Sequence, residues 1–267
     1  MKTAIHFQDV TKFQRGLDSV KVSDLKIYEK ESIAFYGLPS DHVEILINQI
    51  TGTYTPDEGA LTVFGMDSRE IPEQTWFELV ENFAILHHAS GLQENASVGE
   101  NVANIYRIRN EFIEEPQLSA QVLQLANLVQ LSITDLAKMM NEASSSLRMR
   151  VEMSRVLAFQ PRVLILCEPT SDMDAAVAHE FVELLRRVRR KLKFLLILFT
   201  SDVWLMEEIA DRVLFLNLRS GDFVENQLRG WYHKLLPFLK PQPERLFQLT
   251  RDVLQHGRTY VTEKMKG

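Results

Sequence analysis

Two uninterrupted apolar runs narrow what this chain can fold into. Val163-Leu164-Ile165-Leu166 and Phe194-Leu195-Leu196-Ile197-Leu198-Phe199 carry no polar residue at alternate positions. A strand made from either therefore shows apolar side chains on both faces. Such strands need cover from two sides, the condition met by a mostly parallel sheet held between helices. The stretch between them, Ala175–Val188, reads as a helix, and a further helix–strand pair follows at Val203–Ile209 and Val213–Leu216.

Upstream, Ala4–Val10 and Ser32–Tyr36 are short apolar runs, and Ala60–Phe64 follows the turn formers Pro56-Asp57-Glu58-Gly59. Val43, Leu46, Ile47 and Ile50 have the spacing of one helical face, and Phe83–Leu86 reads as another strand. From Val98 to Leu131 the pattern is helical, with a broad stripe from Val122 to Val129. Leu147–Phe159 is another helix, with Ser144-Ser145-Ser146 available to cap it. The reading is an α/β fold: a mostly parallel sheet, an N-terminal antiparallel β part, and a helical insertion at about 98–160. A helical extension follows, read at Leu228–Leu239 and Pro243–Leu254 and divided by Lys240-Pro241-Gln242-Pro243.

A chain of 267 residues suits one α/β domain with an appendage. A net charge of -6 argues against a general nucleic-acid binder, which presents a basic face. One cysteine excludes an internal disulfide. No apolar run reaches the roughly 20 residues needed to span a bilayer, and the N-terminus lacks the apolar core of a signal peptide. The chain is therefore expected to be soluble, reaching a membrane only through a partner.

The order of short motifs resembles the ATPase subunit of ATP-binding cassette (ABC) transporters over about residues 3–225, with 226–267 as the extension. The segment Val163–Cys167 followed by Glu168-Pro169-Thr170-Ser171-Asp172-Met173-Asp174 resembles that family's Walker B strand and D-loop. Ser32–Gly37 resembles the strand entering a P-loop, and Thr51-Gly52…Pro56–Gly59 the turn after it. Val98–Val102 resembles the segment after the Q-loop, Arg148–Leu157 the signature helix, and Glu208–Val213 the junction after the H-loop. Phe13 stands where the family stacks an aromatic on adenine. The segment Ser90-Gly91-Leu92…Ser97–Val102 is most similar to the ATPases of MCE-type lipid transport systems.

The resemblance also assigns positions where this chain departs from the pattern. A working P-loop uses glycines to wrap backbone N–H groups round the phosphates, a lysine for the outer phosphates and a hydroxyl for magnesium. Here the loop reads Gly37-Leu38-Pro39-Ser40-Asp41-His42-Val43-Glu44-Ile45. Val43 takes the lysine position and Glu44 the hydroxyl position. A charge-assisted hydrogen bond to phosphate is worth roughly 1.5–3 kcal/mol. A like charge 4 Å away costs about 4 kcal/mol at an effective dielectric near 20. His88 falls at the Q-loop glutamine, Cys167 at the magnesium-linked aspartate and Ser201 at the H-loop histidine. In the glycine-rich signature the first serine is kept as Ser144, while Ser145 and Ser146 take the glycine positions and add two Cβ atoms where a partner's phosphate needs close approach. Glu168, the candidate general base, and Asp174 of the D-loop remain.

These departures imply a degenerate subunit whose own Walker site binds neither ATP nor magnesium, though both could act through a partner subunit. The implied partners are an ABC ATPase subunit, as homo- or heterodimer, and an integral membrane permease on the inner face of the membrane. Two alternatives remain open: an active transport ATPase with atypical motifs, and a soluble scaffold on the same fold. Four features also have ordinary readings. His87 and His88 alternate across a strand and so do not converge on a metal, and Cys167 reads as a small buried hydrophobe. The run Arg186–Lys191 reads as a solvated helix end, while the amphipathic extension fits domain packing as well as partner contact.

Overall fold

The two apolar runs lie side by side at the heart of a six-stranded sheet in a computed structural model that describes residues 2–13, 19–87, 91–216 and 223–226. In chain order the elements begin with strands β1 (Thr3–Lys12), β2 (Val20–Tyr28) and β3 (Ser32–Tyr36), then helix α1 (Ser40–Ile50). Next come β4 (Glu58–Val63), β5 (Met66–Asp67), α2 (Glu73–Val80) and β6 (Phe83–Leu86). Four helices follow, α3 (Val98–Arg109), α4 (Glu115–Val129), α5 (Ile133–Leu136) and α6 (Ser145–Leu157). The remainder alternates: β7 (Val163–Cys167), α7 (Ala175–Leu192), β8 (Leu195–Thr200), α8 (Val203–Ile209), β9 (Arg212–Leu216) and β10 (Phe223–Asn226).

The large sheet runs β10-β9-β3-β8-β7-β6 and is parallel except for β10. Its central strands divide their side chains between two cores. Ala34, Leu164, Leu166, Leu196 and Leu198 join the core shared with α3, α4, α6, α7 and α8. Ile33, Phe35, Ile165, Ile197 and Phe199 join the core shared with α1 and the smaller sheet. Burial on both faces is why these runs lack polar alternation. The smaller sheet, β2-β1-β4-β5, is antiparallel throughout. The pairing of β1 with β4 shifts register between Gln8 and Thr11, where Asp9 has φ +48°. Gly59 lies against this irregularity: a Cβ there would sit 2.2 Å from the Asp9 carbonyl oxygen, so the close approach requires glycine.

Several expectations are refined. The helical stretch 98–131 is two helices, because Asn110 turns extended at φ -140° and α4 restarts with a proline in its first turn. α7 runs on to Leu192 and stops at Lys193 in the left-handed conformation. Sequence reading passed over β2 and α2. In β2 the buried Val20, Val22, Leu25 and Ile27 skip a step, which hides the alternation. The basic run is corrected in part. Arg186 pairs with Glu183 and Glu208, and Arg189 with Asp211 at 2.8 Å, so these long stems tie α7 to its neighbours. The expected helices Leu228–Leu239 and Pro243–Leu254 lie outside the described residues. Among the described residues no helix is long and apolar enough to cross a membrane.

Candidate functional site

Between α1 and the sheet, from the C-terminal ends of β3, β7 and β8 across to β6, lies a cleft of about 970 Å³. Such a crevice is where open α/β sheets place ligands. Its floor is apolar, made by Phe35, Val43, Ile47, Phe83, Ile85 and Phe199. Ser40, Glu44, Asn48, Thr51, Thr53, His87, Glu168 and Thr200 supply polar groups at its edge. No lysine or arginine lines it among the described residues.

The turn from β3 into α1 sets one wall. Gly37 has φ +63°, and its N–H donates to the Thr200 carbonyl at 3.2 Å. Pro39 stands at the N-cap with no side-chain capping bond, and the helix is formed from Ser40. The N–H of Val43 is already spent on the Pro39 carbonyl at 3.0 Å. A phosphate cradle needs a run of backbone N–H groups turned inward. Here the chain is helical three residues after Gly37, so from Val43 onward those donors serve the helix. Val43 and Glu44 face the cleft, whereas Ile45 is buried toward the sheet and does not line it. His42 and Gln49 share that buried stripe, and His42 Nδ1 has no hydrogen-bond partner among the described residues.

The opposite wall is the turn after β7. Cys167 is partly buried and packs against the core of α1, and its thiol is pushed up to about 12 by burial and, second, by the Glu168 charge. It is thus a neutral thiol at ordinary pH, in keeping with a small hydrophobe. Glu168 has φ +42°, uncommon for a residue with a Cβ. One carboxylate oxygen accepts from the Thr200 hydroxyl at 2.9 Å and the other from the Ser201 N–H at 2.7 Å. Thr200 Oγ1 in turn accepts from the N–H of Asp202 at 3.0 Å, and the Thr170 hydroxyl donates to Asp202 at 3.1 Å. The end of β7 is therefore fastened to the end of β8. Ser201 enters this lattice through its backbone alone.

The remaining predicted positions lie apart from the cleft. Phe13 is 57% exposed, and its N–H donates to Asp57 at 2.7 Å. That bond, with the Lys12 ammonium, holds the Asp57 carboxyl below its usual range. Ser144 caps α6, accepting from the Leu147 N–H at 3.3 Å, and Ser145 opens the helix. Ser146 donates to Glu180 of α7, which also pairs with Arg150 at 3.0 Å. These partners, Ser146 first, lower the Glu180 pKa. Asp174 caps α7 by accepting from Val177 N–H at 2.9 Å. His88 lies outside the described residues. Sequence reading did not single out Thr200, Asp202 or the aromatic floor. The register pairs Tyr36 with Thr200 and Cys167 with Phe199, a juxtaposition that only strand order reveals.

Magnesium and a triphosphate need an ammonium or guanidinium, a hydroxyl beside it and a carboxylate at the strand end. The corresponding residues here are Val43, Glu44 and Cys167, and they do not fit that group. Nor do the described residues include a cluster of three His, Cys, Asp or Glu side chains placed for a metal.

Comparison with known proteins agrees with the architecture. The sulfate/thiosulfate import ATP-binding protein of Methylococcus capsulatus is 29% identical over 96% of this chain and 71% of its own length. The corresponding protein of Bordetella parapertussis is 31% identical over 84% of this chain. The methionine import ATP-binding protein of Corynebacterium jeikeium is 29% identical over 84% of this chain. The chain spans only 62% and 60% of the lengths of these last two. Among solved structures, cbiO1 from Clostridium perfringens, part of a cbiONQ transporter complex, superposes with a TM-score of 0.76 at 18% identity. The match covers 94% of this chain and all of that one. A dimeric ATP-binding cassette in a post-hydrolysis state with ADP and Pi gives 0.66 at 18% identity, over 85% of this chain and 99% of that one. The ABC transporter family model matches residues 20–171, and the chain belongs to that family as a nucleotide-binding (ATPase) domain.

Proposed function

We propose that this chain is a degenerate nucleotide-binding-domain subunit of an ABC-type transporter that does not hold Mg-ATP in its own loop. It serves a permease complex structurally or in regulation. The observation that carries this reading is the wall formed by α1. The helix starts at Ser40, its N–H groups are spent internally from Val43 onward, and Val43 and Glu44 stand where a phosphate would need a cation and a hydroxyl.

For partners, the reading places a second ATPase subunit against the N-termini of α6 and α7, where Ser144, Ser145, Ser146 and Asp174 lie. ATP and magnesium would then come only through that subunit. A permease would meet the exposed apolar side chains Phe77 on α2, Ile108 on α3 and Phe112 just beyond it. The Arg109–Glu81 pair at 2.7 Å joins the ends of those two helices. Contact of this kind would hold the chain at the inner face of the membrane. For the cargo, the lipid-system likeness of residues 90–102 stands beside relatives named for sulfate, thiosulfate and methionine import. The permease that co-purifies with the chain decides among them.

The test is titration of the purified full chain with Mg-ATP by calorimetry. No saturable binding at millimolar nucleotide is expected. Saturable binding at micromolar ATP would overturn the proposal and favour an active ATPase with atypical motifs, a reading supported by the ATP-binding names of the relatives.

A further inference from the structure

We infer that the cleft between α1 and the ends of β7 and β8 is a site for a small organic cation with an apolar body. The inference rests on the reading that this cleft does not hold Mg-ATP.

Its volume of about 970 Å³ falls within the range of small-molecule pockets, roughly 300–1,000 Å³. The floor is aromatic and aliphatic: Phe35 and Phe199 lie stacked, with ring centroids 4.9 Å apart, and Phe83, Ile47 and Ile85 complete it. Apolar ligand surface is favoured on such a floor. Charge then selects the sign. The carboxylates that line the cleft are Glu44 and Glu168, and no lysine or arginine lines it beside them among the described residues. Glu168 accepts hydrogen bonds only from neutral donors, Thr200 and the Ser201 N–H. Each carboxylate oxygen keeps a second lone pair for a further donor. The Cys167 thiol between floor and edge adds no negative charge. A phosphate or carboxylate would meet two carboxylates, no lysine or arginine and a single histidine, His87, whereas an ammonium would meet two acceptors beside an apolar floor.

The experiment uses the full chain and three probes of one shape: 4-phenylbutylammonium, 4-phenylbutanol and 4-phenylbutanoate, followed by ligand-observed NMR and calorimetry. Saturable binding is expected in the order cation, alcohol, carboxylate. The cation should exceed the carboxylate by more than about tenfold, as two uncompensated like charges require. Glu44→Gln replaces an exposed side chain and leaves the fold intact. It should weaken the cation about fivefold and leave the alcohol unchanged. Val43→Trp, which fills the cleft, should abolish binding of both. Equal binding of cation and carboxylate, indifference of the cation to Glu44→Gln, or no saturable binding of any probe would overturn the inference. Mg-ATP titrated into the same samples separates the two claims. Micromolar ATP binding overturns the reading underneath, whereas silence from both ATP and the cation overturns this inference alone.

Discussion

Glu168 is the residue the family resemblance marks as a general base, yet the structure uses it as a fastening between two strand ends. The perturbation that exposes this is a set of three substitutions. Glu168→Ala removes the bonds from the Thr200 hydroxyl and the Ser201 N–H. Hydrogen bonds to a charged group contribute about 1.5–3 kcal/mol each. Thr200 is 2% exposed and Ser201 is exposed, so the first bond counts in full and the second is largely replaced by water. A loss of about 2–4 kcal/mol results. Glu168→Gln keeps one acceptor and turns an amide donor toward a donor, for a loss of about 1–2 kcal/mol. Glu168→Gly loses the same bonds as alanine but relieves the left-handed backbone at φ +42°, recovering about 0.5–1 kcal/mol net of glycine's extra chain entropy. Stability should fall in the order parent, Gln, Gly, Ala, read from urea midpoints at unchanged slope. In a domain of this size each kcal/mol moves the melting temperature by about 2–4 °C. Alanine within about 0.5 kcal/mol of the parent, or glycine less stable than alanine, would refute the fastening role.

Two further outcomes follow from individual side chains. Gln49 is fully buried on α1, with neither amide atom partnered among the described residues. Gln49→Met, similar in volume, should therefore stabilise the chain by about 1–3 kcal/mol, and a lower denaturation midpoint would contradict this. Asp135 has its pKa lowered from 3.8 to about 2 by hydrogen bonds from Lys138 first and then from Ser132. A lowered folded-state value means this stabilisation is present above about pH 4 and is lost as pH falls toward 2. Parent minus Asp135→Asn unfolding free energies should shrink across that window, and a constant difference would contradict the assignment.

Most of the fold was legible because the residues that build it act locally or through periodicity. Val163–Leu166 and Phe194–Phe199 could satisfy themselves only inside a two-sided sheet. Val203–Ile209 was readable as a helix residue for residue. The strand β2 was not, because its buried set breaks alternation between Val22 and Leu25. α2 was not, because it is short and opens on an uncapped proline. Of the site, Val43, Glu44, Cys167 and Glu168 line one cleft, while Ile45 turns inward and Phe13 stands outside its walls.

By itself the sequence determined which side chains are on offer: a valine and a glutamate at positions 43 and 44, a thiol at 167, and serines at 144 to 146. Those are matters of identity and spacing along the chain. What those side chains do was decided by tertiary structure alone. Strand order brings Thr200 and Ser201 beside Glu168, more than thirty positions away, and the early start of α1 consumes donors that an open loop would leave free. Hydrogen bonds and charges are satisfied in space, by whichever partner the sheet delivers, and no spacing along the chain specifies that partner.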